Sequence, residues 1–166
     1  MALKKTSEVI TISSSVDESA ANTFTQSQVD LQLNPLDQEV FVVLAIDLNP
    51  ATPDLVAGST TTSRGSLSTT SRTSIGNISE SNVLAEAQLA IVADPTMAVS
   101  FQRMPTEAPL AQLDYIGIIA TNDFFLQIIG GNNTNAKSMN ARVWGYRAKA
   151  DAATYAALTQ SEILSS

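Results

Sequence analysis

Two stretches decide the fold class: Gln28-Val29-Asp30-Leu31-Gln32-Leu33, and Glu39-Val40-Phe41-Val42-Val43-Leu44-Ala45-Ile46-Asp47-Leu48. In the first, Val29, Leu31 and Leu33 alternate with Gln28, Asp30 and Gln32. Successive strand side chains point to opposite faces, so this pattern predicts a strand with one buried and one wet face, as in an antiparallel sheet. The second stretch is apolar almost throughout and predicts a central strand covered on both faces. Between them Asn34-Pro35-Leu36-Asp37 carries turn chemistry.

The period-two pattern extends outward from this pair. Glu8–Ser13 reads as a first strand rich in β-branched residues. Val83–Val92 fits a helix by its Ala, Leu and Glu content, yet it also alternates; with strands on both sides, strand is the reading preferred. Ala98–Gln102 is a short strand, followed by a Pro-containing loop from Met104 to Ala111. Tyr115–Ala120 and Phe124–Ile129, joined by Thr121-Asn122-Asp123, predict a tight hairpin. Met139–Ala150 is the last strand, with Arg142, Trp144, Tyr146 and Ala148 on one face and Ala141, Val143, Gly145 and Arg147 on the other. Asp151 then suits a helix N-cap, and the alanines after it predict a helix to about Leu158.

Residues 59–74 are low in complexity, twelve of the sixteen being Ser or Thr. Such composition fits a flexible linker, or a loop leading into an exposed edge strand that ends near Ile75, with Arg64-Gly65 near a turn. The preferred reading is the loop and edge strand. About eight antiparallel strands and one terminal helix make the expected fold all-β, a single jelly-roll sandwich or barrel. The expected core is Val29, Leu31, Phe41, Val43, Ile46, Ile116, Ile118, Phe125 and Ile128.

Composition narrows the function. The 166 residues are 44% apolar and 15% charged, with net charge -7 and neither Cys nor His. That size and composition point to one domain, 1–166, burying roughly 70% of its unfolded surface. Without Cys there is no disulfide or thiolate metal site, and without His the usual general base and imidazole metal ligands are gone. The expectation is a non-enzyme with no cofactor and no metal. Eight acids lie between Glu8 and Asp54, and no base between Lys5 and Arg64, so direct nucleic-acid binding is not expected. No apolar region follows Lys4 and Lys5, so a signal peptide is not expected either.

The remaining motifs each carry competing readings. Asp47, Asn49, Thr52 and Asp54 offer oxygen ligands for a hard cation, but the loop lacks EF-hand spacing and reads more simply as a strand-end turn. Asp30, Asp37, Glu39 and Asp47 could pair for glycoside hydrolysis, though nothing singles out two of them. Trp144 and Tyr146, with Arg142 beside them, fit core packing, a protein interface or a sugar-stacking platform. Asn77-Ile78-Ser79 and Asn132-Asn133-Thr134 match the glycosylation sequon.

Residues 6–150 resemble viral single jelly-roll capsid proteins, most of all the upright β-barrel capsid proteins of icosahedral viruses of bacteria and archaea. The resemblance rests on strand count, polar loops, Gln28–Leu33, Glu39–Leu48 and Arg142–Arg147. No functional residue can be carried over, and a basic internal arm is missing. It implies a structural protein that self-assembles into a virion shell, formed in the host cytoplasm. The implied partners are copies of itself, other capsid proteins, and an internal membrane or core beneath the shell. Residues 1–7 and 151–166 are the expected arms around a barrel at 8–150. Trp144, Tyr146, Arg142, Asp151 and Tyr155 are the expected interface residues. A carbohydrate-binding β-sandwich module is the alternative.

Overall fold

The computed structural model describes residues 3–103, 106–107 and 113–164. Its strands are β1 (Leu3–Lys5), β2 (Ile10–Asp17), β3 (Thr25–Asp30), β4 (Glu39–Pro50), β5 (Thr61–Ser68), β6 (Val83–Ala93), β7 (Ala98–Arg103), β8 (Thr106–Glu107), β9 (Gly117–Ile119), β10 (Asp123–Gly131) and β11 (Ser138–Ala150). One helix, α1 (Ala152–Leu164), follows. In one sheet β1 and β2 pair with β11, β11 with β4, and β4 with β8 and β9. The other sheet runs β3-β10-β5-β6-β7. The pairings are antiparallel. The chain is thus an all-β sandwich, and β2-β11-β4-β9 against β3-β10-β5-β6 is a jelly-roll order.

The core lies between the sheets. Phe41, Val43, Ile46 and Leu48 of β4 meet Phe124, Leu126 and Ile128 of β10 there, with Met139, Ala141 and Val143 of β11 in the same cluster. A β-bulge lets β4 do this. Trp144 pairs with Ala45 but Gly145 pairs with Val43, which leaves Leu44 as the extra residue. The inward set therefore changes from odd to even numbers along the strand. Gly145 is required at that point: a Cβ there would lie 2.3 Å from the Val42 carbonyl oxygen and 2.7 Å from the Phe41 ring.

A second apolar cluster covers the outer face of the β4–β11 sheet at one end. Val40, Val42, Ala148 and Ala150 lie under Tyr155 and Leu158 of α1, with Leu3 and Tyr146 beside them. Glu162, also buried, fixes the helix: its carboxylate accepts from the backbone N–H of Ala120 at 2.7 Å and of Thr121 at 2.9 Å. Of the two segments expected as arms, Leu3–Lys5 thus lies on β11 as a strand. Residues 152–164 are docked helix, and α1 runs to Leu164 rather than to Leu158 because this face holds it.

Several expectations change. The Ser/Thr block holds β5, a central strand between β10 and β6 rather than an edge, and Arg64-Gly65 lies within it. Two of its hydroxyls are bonded internally: Ser66 Oγ donates to Gln127 Oε1 at 2.7 Å, and Ser68 Oγ accepts from Gln127 Nε2 at 2.7 Å, while Ser63 Oγ is buried without a hydrogen bond among the described residues. Residues 115–120 and 124–129 do not form a hairpin, since β9 pairs with β4 and β10 with β3 and β5. Asn122 ties the crossing in place, its backbone carbonyl accepting from Leu31 N–H and its side chain from Leu33 N–H. In β10 it is Phe124, not Phe125, that enters the core, and Ile118 packs on the outer cluster. Strand β3 ends at Asp30 because Gln32 is left-handed at φ 51°, although Leu31 and Leu33 stay buried. The first long strand begins at Ile10 and extends to Asp17. Of the loop expected at Met104–Ala111, only Thr106 and Glu107 are among the described residues, as a short strand on β4.

Glu162→Ala should destabilise the fold by about 2–3 kcal/mol, because two backbone donors lose a charged acceptor. Chemical denaturation gives the magnitude, and hydrogen exchange should show faster opening of 152–164. Gly145→Ala should cost at least about 2 kcal/mol, since backbone rather than a flexible side chain blocks the new methyl.

Candidate functional site

The five expected interface residues separate into two groups. Asp151 and Tyr155 serve the helix that docks on its own sheet. Asp151 Oδ1 accepts from Thr154 N–H at 2.7 Å as the N-cap. Hydrogen bonds from the Thr154 side chain and then its backbone N–H hold the Asp151 carboxyl below its usual value. Tyr155 packs into the cluster under α1. Tyr146 joins that cluster too, with the Lys5 ammonium 5.1 Å from its ring centre. Tyr146 is half-buried there.

Arg142 and Trp144 lie beyond the helix, on the uncovered part of the same face. Trp144 is half-buried, and the Arg142 guanidinium sits 5.9 Å from its ring centre. Strand register builds ranks of three outward side chains around them. Trp144 is flanked by Thr11 of β2 and Ala45 of β4. Arg142 is flanked by Ser13 and Asp47, and Asn140 by Ser15 and Asn49. These last two ranks line a shallow depression. Arg142 and Trp144 stand out in the sequence, whereas Ser13, Ser15, Asn49 and Asn140 do not. Their signal was the alternation of β2 and β11, legible only once the two strands are known to be neighbours.

The other candidates are engaged elsewhere. Asp47 faces this depression, whereas Asp54 binds the Lys137 ammonium at 2.6 Å. The two acids do not converge, and no cluster of three acids forms among the described residues. Asp30 accepts from Gln32 N–H, Asp37 from the Asn34 side chain, and Glu39 from Arg147 and Asn34 N–H. These three acids hold the connection between β3 and β4. Asn77 accepts from Ser79 N–H within an exposed turn.

No family model and no curated protein matches the chain. Among solved structures, a chain of Desmodium yellow mottle tymovirus is similar, at 12% identity and a TM-score of 0.28, over 84% of this chain and 81% of that one. A likeness at that score carries no argument about function.

Ion pairing predicts the acid response. The Lys137 ammonium, then the N–H groups of Asn135 and Thr134, hold the Asp54 carboxyl below 3.8. Bonds from Arg72 and then Asn77 N–H hold Glu80 below 4.5. A lowered folded pKa contributes stability that is present above the unfolded value and lost as pH falls through the folded one. The melting midpoint should therefore hold above about pH 5 and drop below about pH 4. Lys137→Met should flatten that drop, as thermal scans across the pH series would show.

Proposed function

We propose that this chain is a structural capsid protein, not an enzyme, that assembles through its sheet edge and loops into an icosahedral virion shell. One observation carries the reading: the outer edge of the second sheet is exposed and apolar. All six residues of β7 are exposed, and Val92, Met97, Val99 and Phe101 are 46%, 71%, 55% and 59% accessible. Soluble monomers usually blunt such an edge with charge, proline or a cover. In the described part of β7 only the last residue, Arg103, is charged.

A second copy is a fitting occupant. Antiparallel pairing about Ser100 would set Val99 of one copy opposite Phe101 of the other, on the face that already carries Val92. A shell needs further contacts, and exposed Leu36, Leu55, Ile163 and Leu164 offer them elsewhere on the surface. With only 15% charged residues, copies repel each other weakly. The acidic balance favours a shell over a lipid layer or separate core rather than one that grips nucleic acid itself. On this reading the protein resides in the virion and meets other capsid proteins there, after assembly in the host cytoplasm.

Val99→Lys combined with Phe101→Lys tests the edge. Both side chains are exposed, so the folded monomer and its circular dichroism should be unchanged. The association constant measured by sedimentation should fall at least about tenfold. Unchanged assembly would remove the edge from the account.

A further inference from the structure

The open half of the β4–β11 face has no role in that edge contact. Its side chains differ from the chain's buried polar groups. Gln127, Asn82, Asn133 and Glu18 are buried and bonded to neighbouring segments. Asp47, Asn49 and Asn140, by contrast, point outward with no side-chain hydrogen bond among the described residues. Arg142 makes a single 3.4 Å contact through Nε to Ser13 Oγ, which leaves its terminal nitrogens available.

The chemistry of this array is specific in kind. One acid and one base cancel in charge, which disfavours a phosphate or a polyanion. The rest are amides and hydroxyls, which both donate and accept and so match sugar hydroxyls. Beside them Trp144 supplies an aromatic surface on which the C–H face of a pyranose can lie. Its cross-strand neighbours, Thr11 and Ala45, are small, so the Arg142 guanidinium, 5.9 Å from the ring centre, is the group a stacking sugar would have to displace from the ring toward its own hydroxyls. Antiparallel strands are about 4.8 Å apart, and ranks on one face about 7 Å apart. The two polar ranks next to Trp144 therefore span the length of two to three sugar rings.

We propose that this face binds a neutral oligosaccharide, with Trp144 stacking on one ring and Asp47, Asn140 and Arg142 hydrogen-bonding to the next. The site does not depend on assembly, because β7 lies in the opposite sheet.

Trp144 is the chain's single tryptophan, so intrinsic fluorescence reports directly on this position. Full-length protein would be titrated with maltohexaose, cellohexaose and mannohexaose, and with a heparin hexasaccharide as the charged control. At least one neutral hexaose should shift the emission saturably. Asp47→Ala and Asn140→Ala, at a half-buried and an exposed position whose side chains make no hydrogen bond among the described residues, should each weaken that binding about tenfold without changing the melting midpoint or the sedimentation profile. The proposal is overturned by no response to any neutral hexaose at millimolar concentration, by a response that both variants retain, or by binding of the heparin fragment alone. An emission shift on raising protein concentration without sugar would assign the face to a second copy and overturn it equally. A normal sugar response from a strictly monomeric protein would leave this site standing and count only against the shell.

Discussion

The pairing of β4 with β11, and the bulge at Leu44 within it, is the constraint on which the rest of the molecule depends. Before the bulge, Val40 and Val42 face outward and require a cover, which α1 provides. After it, Ala45, Asp47 and Asn49 face outward and require none. The inward set is apolar on both sides of the step, so the core continues unbroken through Phe41, Val43, Ile46 and Leu48. One extra residue, opposite a glycine that can admit the Phe41 ring, thus divides the sheet's outer surface into a closed apolar half and an open polar half.

Scarcity of charge shapes the interior as well as the surface. Neutral amides and single buried carboxylates do much of the internal bonding, beside ion pairs such as Lys137–Asp54. Gln127, set among Ser66, Ser68 and Gln26, joins β10 to β5 and β3 beneath the 69–82 loop. Glu18 accepts from the N–H groups of Thr23, Gly130 and Lys137 and so closes one end of the sandwich. Small side chains also allow close approach: a Cβ on Gly65 would overlap the Met139 sulfur at 2.0 Å. This is why a Ser- and Thr-rich stretch can occupy the middle of a sheet.

The strands with strong alternation were legible in the sequence. The buried face of 28–33 and the two faces of Met139–Ala150 appear as read, whereas the run from Glu39 is covered on both faces only as far as the bulge. What was not legible depends on partners distant in the chain. Residues 115–120 and 124–129 look like a hairpin because a turn separates two apolar runs; only their bonds to different sheets reveal a crossing. The Ser/Thr stretch looks like an exposed segment because hydroxyls satisfied by Gln127 cannot be told from hydroxyls satisfied by water. For the site, Trp144 and Arg142 were visible as an outward pair, but the Ser13 and Asn49 beside them come from strands more than 90 residues away in sequence. The weak amphipathicity of Ala-rich 152–164 likewise hid that the helix docks through Tyr155, Leu158 and Glu162.

The central claim, a subunit whose exposed β7 edge drives assembly, is tested most directly by the solution mass of the wild-type chain across a wide concentration range, with particles sought by electron microscopy at the upper end. The account predicts mass that rises with concentration from the 17.5 kDa monomer through discrete oligomers to closed particles. A single monomeric species at every concentration, in the presence of its companion shell proteins as well as alone, would contradict it.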